Sequence, residues 1–101
     1  MEKYEKFKLS LDMFSGFITE PAIRYFETGT CKCTFAIPLK ENKEAEPIWL
    51  NCEAWGRVAE KIGEMKKGDK LIVLGNLKEV EYETKTKEKK TTIKFMVEGA
   101  L

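Results

Sequence analysis

Histidine is absent from the 101 residues. That removes the commonest general base, the Ser-His-Asp and Cys-His nucleophile systems, and the commonest zinc ligand. No run approaches the roughly 18 to 20 apolar residues that a transmembrane helix needs. The opening Met1-Glu2-Lys3-Tyr4-Glu5-Lys6 is not a secretory signal, so the expected location is cytoplasmic. Net charge is also scarce. Lys+Arg is 18 and Asp+Glu is 17, leaving +1. Any attraction to a polyanion must therefore come from local distribution. The three cysteines, Cys31, Cys33 and Cys52, are odd in number in a chain with no export signal, which implies reduced thiols. Cys31-Lys32-Cys33 lacks the C-x-x-C spacing of zinc and redox sites. Two residues apart on a strand, these cysteines share a face with Phe35 and Ile37 and read as small core hydrophobes. No metal, cofactor, small-molecule substrate or membrane partner is expected.

The chain is 43% hydrophobic and 35% charged, and residues 1–101 read as a single folded domain. Carboxylates are plentiful, but none pairs with a recognisable nucleophile, metal cluster or phosphate loop. These features favour a binding module over an enzyme.

The main signal along the chain is period two, broken once by period 3.6. Phe7, Leu9, Leu11 and Met13 alternate with Lys6, Lys8, Ser10 and Asp12, predicting a long first strand. Residues 16–25 read as a turn and connecting loop, and Thr28-Gly29-Thr30 as a second turn. Cys31, Cys33, Phe35, Ile37 and Leu39 form one face of a second strand, with Pro38 suggesting an edge or bulge near its end. A polar loop covers residues 41–47. Ile48, Leu50, Cys52 and Ala54 are the apolar face of a third strand. Val58, Ile62 and Met65 then predict a short amphipathic helix, with Lys66-Lys67-Gly68 as its basic last turn and stop. Arg57 and Lys61 read as solvated charges. A fourth strand opens at Leu71 and continues past Gly75 to Tyr82. The polar residues 84–90 lead to a fifth, in which Ile93, Phe95 and Val97 share a face. Three strands, a helix and two strands is the order of the OB-fold, a mainly all-β, five-stranded Greek-key barrel with one short helix between strands 3 and 4. An open α+β sheet is the alternative. Gly16 and Gly75 stand where barrel strands need to coil, which favours the barrel.

The third strand carries the informative pattern. Its non-core face holds Trp49, Asn51, Glu53 and Trp55, where a half-buried strand should be polar. The indoles are six residues apart, or roughly 20 Å along an extended strand. Bases stack on aromatic faces for about 1–3 kcal/mol each whatever their sequence. The competing reading buries the tryptophans in a second small core or a subunit contact, with Trp55, beside the Gly56 turn, better placed for structural duty. Glu53 counts against a phosphate-binding surface. Residues 84–94 carry five lysines against one glutamate, in the hairpin that flanks the groove of such a barrel. Lysines there would pair with phosphates and release counterions, although charge runs are often just solvated faces. Tyr82, at the hairpin base, adds another ring. Phe14, Phe17, Tyr25 and Phe26 suit core or subunit contacts better than base contacts.

These residues also resemble a family. Gly16-Phe17-Ile18-Thr19-Glu20-Pro21-Ala22-Ile23-Arg24-Tyr25 resembles the Gly-x-Leu…Asp-Pro-Glu-Leu-Arg-Tyr region of bacterial single-stranded DNA-binding proteins. Thr28-Gly29-Thr30 and Phe35 are similar to that family's Ser-Gly-Thr turn and strand-2 Phe. The run from Ile48 through Trp49, Trp55, Gly56 and Arg57 to Glu60 resembles its Trp-(Ile/His)-x-(Cys/Val)-x-x-(Trp/Phe)-Gly-Lys-Leu-Ala-Glu. Lys66-Lys67-Gly68, Leu74-Gly75-Asn76-Leu77 and Thr91-Thr92 extend the likeness, which runs from about Leu9 to Val97. It implies that Trp49, Trp55 and Tyr82 stack bases, and that Lys8, Arg24, Lys32, Lys78, Lys85, Lys87 and Lys90 contact phosphates. It further implies sequence-independent binding of single-stranded DNA in replication, recombination or repair, a homo-oligomer (tetramer or dimer), and a nucleoid-associated location.

There are departures from the family pattern. The turn at residues 16–21 and the stretch 60–68 each look one residue short, and the loop at 40–47 has no aromatic. The chain also stops at Leu101, without the Gly/Pro/Gln-rich tail and acidic tip usual in the family. That suggests a DNA-binding core without a recruiting function, or a divergent paralogue from a mobile element. The alternative function is a tail-less OB-fold accessory factor, similar to primosomal replication protein N, acting mainly through protein contacts.

Overall fold

The computed structural model describes residues 2–10 and 12–101. In chain order these hold α1 (Glu2–Glu5), β1 (Met13–Phe17), β2 (Ala22–Tyr25), β3 (Cys31–Leu39), β4 (Ile48–Trp55), α2 (Gly56–Gly63), β5 (Lys70–Glu83) and β6 (Lys89–Ala100). The strands form one sheet in the order β1-β5-β6-β4-β3-β2. All neighbours are antiparallel except β4 and β6, which run parallel. No helix among the described residues is long and apolar enough to cross a membrane.

The two ends of this sheet, β1 and β2, are consecutive in the chain, with only residues 18–21 between them. The chain changes partner there. β1 runs against β5, pairing Met13 with Leu74 through Phe17 with Lys70, whereas β2 runs against β3, pairing Ala22 with Thr34 through Tyr25 with Cys31. The link is bonded to both sides. Ile18 N–H donates to the Asp69 carbonyl at 3.0 Å, and the Ile18 carbonyl accepts from Gly68 N–H at 2.9 Å. Thr19 N–H donates to the Ala36 carbonyl, and Ala36 N–H donates to Thr19 Oγ1, each at 2.9 Å. One extended segment thereby pairs with both ends of the sheet and rolls it into the expected OB-fold. The six strand segments amount to five strands, the first broken in two.

That first strand is not where its alternation predicts it. Residues 2–5 form a helical turn in which Tyr4 is buried, and residues 6–10 and 12 contain no strand. Leu9 is 56% exposed, so the spacing of Phe7, Leu9 and Met13 marks no buried face. Leu11 and Met1 lie outside the described residues. The strand instead occupies most of the stretch expected as a loop. A side chain at Gly16 would run into Ile37 of β3, so glycine lets β1 cross β3 closely enough to close the barrel.

The remaining elements lie close to their predicted positions. Gly29 closes the turn at residues 28–30 with φ +87°, and the polar loop falls between β3 and β4. β2 covers β3 only as far as Thr34, so Pro38 stands where β3 has lost that neighbour. α2 ends at Gly63, one turn earlier than predicted, so Met65 packs from the following turn and Lys66-Lys67 stand beyond the helix. Lys61, expected as a solvated charge, donates to the Ala100 carbonyl at 2.8 Å and ties the helix to β6.

The core fills from the inward faces of the strands. Phe14 and Phe95 meet edge to face at 5.2 Å, an arrangement worth about 0.5–1.5 kcal/mol beyond burial. Cys31, Cys33 and Cys52 are all buried, free thiols. Burial raises the Cys33 thiol above its ordinary range and pushes the Cys52 thiol well up, which keeps both protonated and inert at neutral pH.

Between Leu74 and Gly75 the β5–β6 register shifts, and β5 there lies hard against its partner: a side chain at Gly75 would overlap the Met96 carbonyl. The clash is with backbone, which cannot rotate aside. Gly75→Ala is expected to destabilise the fold by about 1–3 kcal/mol, read as a lowered midpoint in urea unfolding; an unchanged midpoint would mean that the strands separate there freely.

Candidate nucleic-acid interface

Period-two geometry sends alternate β4 side chains to opposite faces. Leu50, Cys52 and Ala54 enter the core, while Trp49, Asn51, Glu53 and Trp55 face outward. Trp49 is 48% exposed and Trp55 45%. Both indoles are therefore open to a guest, and the second-core reading does not hold within this chain.

Cross-strand pairing extends the outward face in both directions. Trp55 pairs with Lys32 of β3, which pairs with Arg24 of β2. Glu53 pairs with Thr34 on one side and Met96 of β6 on the other, and Met96 pairs with Asn76 of β5. Further along the β5–β6 hairpin the same face carries the pairs Lys78–Lys94, Val80–Thr92 and Tyr82–Lys90. Tyr82 is 46% exposed.

Three depressions run along this surface. One of about 540 Å³ lies beside Trp49 and is lined by Lys3, Asn51, Glu79 and Thr92 among others. A second, of about 420 Å³, shares Asn51 with the first and adds Thr34, Glu53 and Lys94. A third, of about 260 Å³, shares Ala22 and Thr34 with the second and is lined by Arg24 and Lys32. Shared lining residues join them in a groove from Trp49 to Arg24 and Lys32; Trp55 lines none of the three and stands beside Lys32 across the β3–β4 ladder.

The far end of the groove is built in layers. Phe26 stacks on Trp55 at 5.7 Å and 17°, so one indole neighbour is already aromatic. The Arg24 guanidinium lies 5.0 Å from the Phe26 ring and the Lys32 ammonium 5.6 Å from the Trp55 ring. Such cation–ring contacts are worth about 0.5–1 kcal/mol each at exposed sites. Lys32 also pairs with Glu53 at 2.7 Å, which accounts for the carboxylate on this face. At the near end, the buried Tyr4 donates its hydroxyl to the Trp49 carbonyl at 3.2 Å.

The expected phosphate contacts divide into groups. Arg24 and Lys32 line the groove, and Lys78 and Lys90 share the outward face of the hairpin. Lys85 and Lys87 stand exposed in the tight turn at residues 84–88, where Thr84 N–H donates to the Glu88 carbonyl at 2.9 Å and Lys87 takes φ +65°. Lys8 does not line any of the three depressions. Its ammonium lies 2.9 Å from Glu5 and 3.1 Å from Asp12, and its pKa is raised by the hydrogen bond to Glu5 first and that to Asp12 second.

Sequence reasoning missed several contributors. Phe26, which suits core or subunit contacts better than base contacts by sequence, stacks on Trp55 and supports it. Lys94, already counted in the basic run at residues 84–94, was not placed in the groove; it lines the central depression, a position legible in the alternation of the last strand. Lys3 reaches the groove only because residues 2–5 are helical rather than extended, which no local signal announces.

Comparison with known proteins converges on one family. The sequence profile described as "Single-strand binding protein family" matches residues 12–100. The single-stranded DNA-binding protein of Paenarthrobacter aurescens is 29% identical over 99 residues, covering 88% of this chain and 58% of that protein. The corresponding protein of Thermosynechococcus vestitus is 36% identical over 61 residues, covering 58% of this chain and 51% of its own length. The chain thus spans about half the length of the curated relatives it matches. Among solved structures, the wild-type single-stranded DNA binding protein from Thermus aquaticus superposes with a TM-score of 0.70 at 23% identity, over 88% of this chain and 37% of that one.

Proposed function

We propose a function from one premise: the chain belongs to the single-strand binding protein family. That is a family of binding proteins rather than enzymes. The chain binds single-stranded DNA in a sequence-independent way, in replication, recombination or repair. The observation that carries this reading is the pair of half-exposed indoles on the outward face of β4, Trp49 lining the groove and Trp55 standing beside its Lys32. Bases unstacked from one another lay their faces on Trp49 and Trp55, and Tyr82 offers a further ring on the hairpin. Duplex DNA hides its base faces in the stack, which makes the groove selective for single strands.

Phosphates are met by the cations around this surface. Lys78, Lys90 and Lys94 stand on the outward face of the hairpin, and Lys85 and Lys87 at its tip. With a net charge of only +1, attraction to the polyanion depends on this clustering rather than on the whole molecule. Homo-oligomerisation is carried over from the resemblance.

Three outcomes test the reading. Trp49→Ala is expected to weaken oligo-dT binding by about fivefold or more, corresponding to at least about 1 kcal/mol, with the thermal midpoint nearly unchanged. Unaltered affinity measured by anisotropy removes Trp49 from the contact. Changing Lys85, Lys87 and Lys90 together to Ala should flatten the dependence of log affinity on log salt concentration, since each phosphate contact contributes about 0.7 to that slope for single strands; an equal slope puts the phosphates elsewhere. Light scattering should return a mass of at least twice 11.7 kDa, and a monomer at micromolar concentration removes the oligomer.

A further inference from the structure

We propose that Glu53 gives the central depression a preference for bases carrying an exocyclic amino group, cytosine in particular, over thymine. The inference rests on the single-strand reading above and adds a base preference to its sequence-tolerant stacking.

The argument starts from a carboxylate in an unfavourable place. A groove for a polyanion gains nothing from negative charge, yet Glu53 points outward between Asn51 and Trp55, and is only 8% exposed. Lys32 stands 2.7 Å from its Oε1. That pairing offsets the charge, so the carboxylate does not repel a passing phosphate as a lone one would. It also fixes the side chain against the wall of the 420 Å³ depression, which Glu53 lines together with Thr34, Asn51 and Lys94; Glu20 lines it too, and of the two carboxylates Glu53 is the one held by Lys32.

An ionised carboxylate has several acceptor positions and no donor. Lys32 occupies Oε1, and the remaining acceptor capacity serves whatever enters the depression. A base held by stacking has its faces covered and presents its edge. On that edge cytosine offers the N4 amino group, adenine N6 and guanine N2, all donors, whereas thymine places the O4 carbonyl where cytosine has N4. The amino group forms a charge-assisted hydrogen bond to Glu53, and the thymine carbonyl meets like lone pairs. Asn51, with an amide that both donates and accepts, serves either base and cannot discriminate.

The test is a ratio, which cancels stacking and phosphate contacts common to both ligands. Dissociation constants for dT and dC homo-oligonucleotides of equal length are measured on the wild type and on Glu53→Gln. The dT/dC ratio of constants is expected to fall about fivefold in the variant, the difference between a hydrogen bond to a charged acceptor and one to the neutral amide oxygen that replaces it. A wild type that binds both ligands, with a ratio unchanged in the variant, overturns the inference and leaves the single-strand reading standing. That result holds even if both affinities rise together, because Glu53 would then only tether Lys32. A wild type that binds neither ligand overturns both. Should Glu53→Gln fail to fold, the wild type decides alone. Replacing the cytosines with N4,N4-dimethylcytosine removes the donor and should cost a similar factor, and no loss refutes the proposal.

Discussion

The architecture depends on a change of hydrogen-bonding partner at residues 18–21. A six-stranded sheet left flat would expose two edges, each a row of unpaired amides and carbonyls. Here both edges belong to neighbouring stretches of one chain, and the short link between them bonds to Gly68 and Asp69 on one side and Ala36 on the other. Closure follows from that sharing. It sends one face of every strand into a common interior and forces the other outward. The tryptophans of β4 are exposed because Leu50, Cys52 and Ala54 already fill the inward positions.

Electrostatics on the outward face is arranged in pairs and stacks rather than as a field. Arg24 lies against Phe26, Phe26 against Trp55, and Lys32 against both Trp55 and Glu53. Each cation is held by a ring or a carboxylate, so its position is set before a ligand arrives. Ordering long, flexible side chains is a large part of what binding costs, and these have already lost much of that freedom. The tip lysines of the hairpin lack such restraint and differ in kind: they supply charge without geometry.

Much of this was legible in the sequence. Alternation located β3, β4 and β6, the apolar run from Leu71 to Leu74 opened β5, and the switch to period 3.6 located α2, because in each case apolar positions face one common core. The outward Trp49 and Trp55 were readable for the same reason, as violations of the polar face. The first strand was not. Phe7 and Leu9 copy a strand period by coincidence, while the real β1 and β2 are interrupted where the chain changes partner, an event fixed by residues some 17 to 50 positions away. Local periodicity carries no record of such pairing. The support of Trp55 by Phe26, and the neutralising of Lys8 by Glu5 and Asp12, likewise depend on where side chains end up in space.

The hydrogen bond from Tyr4 to the Trp49 carbonyl has a practical corollary. β6 flanks β4 only between Cys52 and Ala54, so the beginning of β4 has no strand on that side, and the opening helical turn occupies the position instead. The strand that carries the first indole is therefore moored to the helical turn at residues 2–5. A substitution that melts that turn is felt at the indole, even where it touches nothing in the groove itself.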